Sequence, residues 1–250
     1  MTTSRTEKDA WKEALHYLLR YEDRGNYRYQ RVMRAKHSIE EMLQKGAYGE
    51  LTSERFIEIR ESLDLQEHRI ARDAWTTNIH GVVHTTEWMD RLACGLEGKT
   101  VLEIGAFRGC LMQPMNKRGV TWIGVQVNPD KDCVFKPIPV QDYLEALKGY
   151  RKTIDLIFVA WPAYTLKGYD FMSIVKTAVE YDIPMLIVAE RRVFTSSTND
   201  LWDNQHEFGY RLIQAREYDP DRWRGVRDSL WVMVDEKHLT KDGDRSKFMF

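Results

Sequence analysis

One segment constrains this chain more than any other: KTVLEIGAFRGCL, residues 99–111. An apolar run ends in an acid, Glu103, and passes directly into a glycine turn and then a helical pattern. A strand that enters a helix this way opens a βα unit. Gly105 lets the chain turn tightly, and both Gly105 and Gly109 leave room for close approach because they carry no Cβ. Backbone N–H groups at the start of the following helix favour a polar or anionic ligand group. The same pattern also serves as a plain βα turn without a ligand, so the loop alone does not assign a function.

Beyond the loop the chain alternates regularly. Short β-branched runs are expected as strands at Thr100–Ile104, Thr121–Val127, near Val134–Ile138, and at Asp155–Ala160, Pro184–Ala189, Arg211–Glu217 and Ser229–Asp235. Helical patterns fit between them at 110–117, 141–149, 169–181 and 200–209. Such alternation predicts a parallel sheet covered on both faces. The last two strands are joined only by the turn-rich YDPDRWRGVRD (218–228), so they should pair antiparallel. Residues 1–85 read differently, as a helical region with patterns at 6–23, 28–45 and 52–74; a further helix at 86–97 opens the α/β domain of residues 86–250.

Composition limits the alternatives. The 37 basic residues nearly balance the 38 acidic ones, for a net charge of -1, which excludes a strongly basic nucleic-acid coat but not a local patch. No apolar run is long enough to cross a membrane, and MTTSRTEKDAWKE lacks an apolar secretory core, so a cytoplasmic location is expected. The three cysteines are scattered and lack CxxC spacing, which fits a reducing compartment and argues against a structural zinc site.

Further residues gather at the carboxyl ends of the expected strands, where ligands of such sheets bind. The second strand, TWIGVQV, carries Gln126 at the place where an acid ordinarily meets ribose hydroxyls. Asp142 precedes the helix at 141–149, and DLIFVAWPAY runs from a strand straight into Trp161–Pro162. Together, residues 86–235 resemble the class I S-adenosylmethionine (SAM)-dependent methyltransferases: EWMDRLACGLEGKTVLEIGAFRGCL is similar to that family's pre-motif helix and first motif. The resemblance implies an α/β fold, a Rossmann-like seven-stranded, mostly parallel sheet with an antiparallel last strand behind the N-terminal helical region. It implies SAM as cofactor, with Glu103, Gly105, Ala106 and Gly109 around its methionine part, Gln126 at the ribose, Asp142 and Tyr143 at the adenine, and Ala160 and Trp161 facing the reactive methyl. WPAY followed by a helix and PMLIVAE also resembles a subgroup with a WPPY motif and a later strand ending in Gly-Glu; Glu190 would be that acid, with Ala189 in place of the glycine.

The chain departs from the family at Phe107–Arg108, where many relatives have Gly-Thr, and at Gln126, where an amide forgoes charge-assisted bonds that are roughly twice as strong as neutral ones. Trp161 lacks the acceptor that amino-group methylation of nucleic-acid bases needs, because indole only donates. Methyl transfer depends mainly on alignment, and a base helps when the nucleophile carries a proton. Candidates for that base are Glu190, Tyr164 and His84; Glu190 reads equally as a salt-bridge partner of Arg191 and Arg192. His80 and His84 share the spacing of a metal pair but have no acidic companion nearby in sequence, and they read as polar linker residues. Arg24, Arg28 and Arg31 form a basic stripe on a helix, suited to phosphates or an acidic protein, or to ordinary solvation. A second basic cluster, Arg222, Trp223, Arg224 and Arg227, lies in the last hairpin loop. The expected activity is methyl transfer from SAM to an unidentified acceptor. The alternative is a catalytically inactive protein of this fold acting as a binding or assembly partner.

Overall fold

The computed structural model describes residues 26–129, 133–162, 170–191 and 199–239, and the seven expected strands form one sheet. They are β1 (Thr100–Ile104), β2 (Thr121–Val127), β3 (Ile138–Val140), β4 (Leu156–Ala160), β5 (Met185–Ala189), β6 (Tyr210–Gln214) and β7 (Ser229–Asp235). The order is β3-β2-β1-β4-β5-β7-β6. Neighbours from β3 through β5 pair parallel, whereas β7 runs antiparallel to both β5 and β6. Six strands therefore point one way and β7 alone is reversed. This is the Rossmann-like sheet expected from the sequence, and the winding reverses between β1 and β4, so a crevice is formed at their carboxyl ends.

Burial explains the strands. All five residues of LIFVA in β4 and of MLIVA in β5 are buried, as strands covered on both faces require. Alternate residues divide between two cores. Leu102, Ile104, Ile157, Val159, Met185 and Ile187 pack under α6 (Tyr143–Tyr150) and α7 (Phe171–Glu180). Val101, Phe158, Leu186 and Val188 pack on the other side, with α4 (Thr86–Gly95) and α5 (Met112–Asn116). The short α8 (Asn199–Asp203) adds Leu201 and Trp202 to the first core.

The bounds of β1, β2 and β7 agree with expectation, β4 and β5 each begin one residue later, the helix expected at 200–209 is only the short α8, and three further elements differ more. The single helix expected over 52–74 is two, α2 (Ser53–Ser62) and α3 (Leu65–Asn78), after α1 (Asn26–Ala47). Asp64 makes the break. It accepts from the amides of Gln66 and Glu67, both at 2.9 Å, while Glu67 accepts from the Asp64 amide at 2.8 Å, a reciprocal cap that starts a new helix. The third strand lies at Ile138–Val140, beyond Pro137, and β6 stops at Gln214, followed by a 3-10 turn over Arg216–Tyr218. The helix expected at 6–23 falls outside the described residues.

A third core belongs to α1–α3. It takes in Met42, Phe56, Ile59 and Trp75, but also Cys110 and Trp223 from the α/β part. Trp223 comes from the loop between β6 and β7 and meets Phe56 and His68 edge-on, with ring centroids 5.1 and 5.3 Å away. Around it, Arg60 donates to the Arg222 carbonyl at 2.7 Å, and the Arg224 amide donates to His68 Nε2 at 2.9 Å. Arg224 pairs with Glu61 at 2.8 Å, and Arg222 pairs with Asp219. Three members of the basic cluster in this hairpin loop, Arg222, Trp223 and Arg224, are thus engaged with the helices or within the loop itself. Because β7 is reversed, that loop enters β7 beside the carboxyl end of β5, and the helical region is held at this end of the sheet. No helix among the described residues is long and apolar enough to cross a membrane.

Candidate functional site at the carboxyl ends of the strands

The glycine loop is tightly self-bonded. The amides of Gly105 and Ala106 donate to the Val125 carbonyl at 3.1 and 3.0 Å, and that of Gly109 to the Ala106 carbonyl at 2.8 Å. The Phe107 amide donates to Gln126 Oε1 at 2.8 Å, and Gln126 Nε2 returns to the Val127 carbonyl at 3.1 Å. Gln126 therefore stands beside the loop, at the end of β2, with its amide committed to protein. Phe107 has φ 53°, a left-handed conformation that costs an ordinary side chain roughly 1–2 kcal/mol. Gly109 (φ 72°) is required for a reason other than ligand approach: a Cβ there would lie 2.0 Å from the Phe135 carbonyl oxygen. Phe135 also donates its amide to the Arg108 carbonyl at 3.2 Å. The glycine makes room for a crossing stretch of this same chain.

Glu103, expected near the cofactor, is 1% exposed, and its oxygens are bonded within the core. Oε1 meets His80 Nε2 at 2.8 Å, and Oε2 accepts from Trp122 Nε1 at 2.7 Å. His80 Nδ1 accepts from the Val82 amide at 3.2 Å, so the ring donates to Glu103 from Nε2. The two histidines are buried, not linker residues in water, because the 79–84 stretch is packed between β1 and the helices. His84 is fully buried, with Nε2 2.9 Å from the Gly46 carbonyl and Nδ1 3.3 Å from that of Val82. Burial, with His80 adding to it, holds the His84 pKa down to about 3. Both of its ring nitrogens thus face backbone carbonyls inside an enclosed interior. Cys110 lies in the same interior, where burial raises its thiol to about 12. No group of three or more His, Cys, Asp and Glu suited to a metal ion occurs among the described residues.

Asp142 caps α6, accepting from the amides of Leu144 and Glu145 at 2.7 and 3.1 Å. It stays half-buried at the crevice edge. Tyr143 is 1% exposed and belongs to the core under the sheet, its hydroxyl 3.4 Å from the Val127 amide.

The ends of β4, β5 and β7 bring together residues that are far apart in sequence. Ala160, Trp161 and Glu190 are all buried. Ala160 pairs with Val188, and the Trp161 amide donates to the Val188 carbonyl at 2.8 Å. Trp161 has φ 50°, and its Nε1 donates to Asp228 Oδ2 at 2.9 Å. Ala189 pairs with Ser229, so Glu190 and Asp228 are neighbours just past the paired residues. Glu190 accepts from the Arg227 amide. Asp228 is 3% exposed, and its Oδ1 has no hydrogen-bond partner among the described residues. Desolvation, reinforced by Glu190 and opposed by the Trp161 bond, raises its pKa to about 7.

Asp228 is the residue that sequence reasoning missed. A signal was available: VRDSLWVMVD sets an acid immediately before an apolar strand, and a reversed last strand carries that acid to the carboxyl edge. Tyr164 and Arg24 fall outside the described residues, as do the side chains of Arg28 and Arg31.

No family model matches the chain, and no curated protein matches it. Solved structures do. A TehB-like SAM-dependent methyltransferase from Corynebacterium glutamicum is 17% identical, with TM-score 0.39, over 59% of this chain and 87% of that one. Magnesium protoporphyrin IX methyltransferase from Synechocystis PCC 6803, solved with bound SAM, is 13% identical, with TM-score 0.44, over 77% of this chain and 89% of that one.

Proposed function

We propose that this chain is a SAM-dependent methyltransferase of unidentified acceptor. One observation supports the reading: in the β3-β2-β1-β4-β5-β7-β6 order the glycine loop follows β1, Gln126 lies near the end of β2 and Asp142 precedes α6, all toward the carboxyl ends of the strands. Gln126 and Asp142 fit a nucleoside, because each is only half-buried at the crevice edge. Gly105 and Ala106 would border the methionine end and Ala160 and Trp161 the methyl, with Gly109 giving its room to Phe135 at the edge of that loop. SAM supplies an electrophilic methyl group when bound; the chain's part is to hold and orient the reactants and keep water away. The described part of the helical region, residues 26–85, meets the same end of the sheet through Trp223 and would shape acceptor choice.

A second reading, a binding or assembly protein that keeps the fold without the cofactor, draws on two observations. The amides of Gly105, Ala106, Phe107 and Gly109 are all satisfied within the protein, and the Phe135 carbonyl fills the space that Gly109 leaves. Calorimetric titration of the purified protein with SAM and with S-adenosylhomocysteine separates the two. Micromolar binding of both supports the methyltransferase; absence of heat and of thermal stabilisation at millimolar ligand supports the binding protein.

A further inference from the structure

Two buried acids meet at the carboxyl edge of the sheet, and one has an unused oxygen. Asp228 is 3% exposed and Glu190 6%. Asp228 Oδ2 is held by Trp161 Nε1 at 2.9 Å, which fixes the carboxyl plane. Oδ1 has no partner among the described residues. Such an oxygen is costly in either state: ionised it lacks a donor, and protonated it lacks an acceptor. The charged groups acting on it are Glu190 from the end of β5, and Asp219 and Arg222 from the hairpin loop. Arg222 is itself paired to Asp219. Two carboxyls side by side form a place suited to a cation, and Oδ1, when ionised, lacks a hydrogen-bond donor.

We propose that Asp228 Oδ1, with Glu190 beside it and Trp161 fixing its orientation, receives the protonated amino group of an aliphatic amine. In the methyltransferase reading, on which this placement rests, the amine belongs to the acceptor molecule. A cation with N–H groups would satisfy Oδ1 and relieve both the desolvation and the repulsion that keep the proton on Asp228. Amine binding should therefore release a proton from Asp228 near neutral pH, because an opposite charge within hydrogen-bond reach favours the ionised carboxylate. A neutral alcohol supplies a donor but no charge, and its effect should be much smaller.

The experiment is a pH titration of aspartate carboxyl carbons by NMR in protein labelled with carboxyl carbon-13. The Asp228 signal is assigned as the one missing in Asp228→Asn, or, should that variant fold poorly, as the one whose midpoint falls in Glu190→Gln. The probes are ethylammonium, tetramethylammonium and ethanol at equal high-millimolar concentration, with ionic strength matched by sodium chloride. The expected result is a midpoint near 7 that falls by about one pH unit with ethylammonium and stays in place with the other two. An unmoved midpoint with ethylammonium overturns the proposal, and so does an equal fall with tetramethylammonium, which has charge but no N–H. S-adenosylhomocysteine is titrated into the same samples. An ethylammonium effect without nucleoside binding upholds the amine site and removes the methyltransferase reading. Nucleoside binding without the ethylammonium effect does the reverse.

Discussion

Glu103 and Asp228 are both buried acids beside the same sheet, and they have opposite fates. Glu103 lies within β1, where His80 and Trp122 each give a hydrogen to one of its oxygens. Asp228 lies just before β7, where Trp161 serves one oxygen and the other is left over. Burial alone does not mark a functional acid; the difference lies in whether the surrounding chain completes the hydrogen bonds. A completed set fixes structure, and it ties the 79–84 stretch to β1. An incomplete set is a cost carried by the fold, which a ligand can offset.

The largest expected effect comes from breaking the completed set. Glu103→Leu leaves the His80 and Trp122 N–H groups without acceptors, at about 1–3 kcal/mol each. A loss of roughly 3 kcal/mol or more in urea denaturation is expected. A loss under about 1 kcal/mol would remove the contrast between the two acids.

Asp228→Asn should act in the other direction, and only above acidic pH. The folded-state pKa of Asp228 is raised from 3.8 to about 7, so between these values the folded protein binds the proton that the unfolded chain has released. The contribution of this group to stability is therefore greatest below about pH 4, falls as pH rises to about 7, and is level beyond. Asparagine does not titrate and keeps an oxygen for Trp161. Stability of Asp228→Asn minus that of the parent should increase from pH 4 to pH 8, read by thermal denaturation across that range; a flat difference would mean that Asp228 is not held protonated.

The smallest effect tests a donor that is already matched. Gln126→Glu keeps the reach to the Phe107 amide and turns a neutral bond into a charge-assisted one. That gain is offset where the second carboxylate oxygen meets the Val127 carbonyl that Nε2 served, so a change within about 0.5 kcal/mol in thermal stability near pH 7 is expected. The same variant should bind S-adenosylhomocysteine a few-fold more tightly if the second oxygen meets ribose hydroxyls, and equal affinity in calorimetry would move the ribose elsewhere.

Much of the sheet was legible because strands are local events. The β-branched runs at Thr100–Ile104, Thr121–Val127 and Ser229–Asp235 carry their own bounds, and a single turn-rich connection announced the antiparallel β6–β7 pair. The glycine loop was legible for the same reason, since a left-handed turn favours glycine through the local backbone alone, even though Phe107 adopts one beside it. The break at Asp64 was written just as locally, as a cap followed by Glu67, inside what periodicity alone reads as one helix.

The partners of those residues were decided elsewhere. Gly109 signals close approach, but only the folded chain shows that Phe135 makes it. Trp223 sits in a basic loop and reads as surface, yet the reversed β7 carries it into the core of the helices. Glu103 has the sequence position of a cofactor acid and the surroundings of a structural one, because His80 lies 23 residues away and Trp122 lies 19. Asp228 meets Trp161 across 67 residues. The sequence by itself determined which segments become strands, where the glycine turn falls and which end of the sheet opens, because backbone preference and hydrophobic period act over a few residues. Which buried acid is satisfied and which is left wanting was decided by tertiary structure alone, because hydrogen bonds and desolvation depend on neighbours that only the packed sheet brings together.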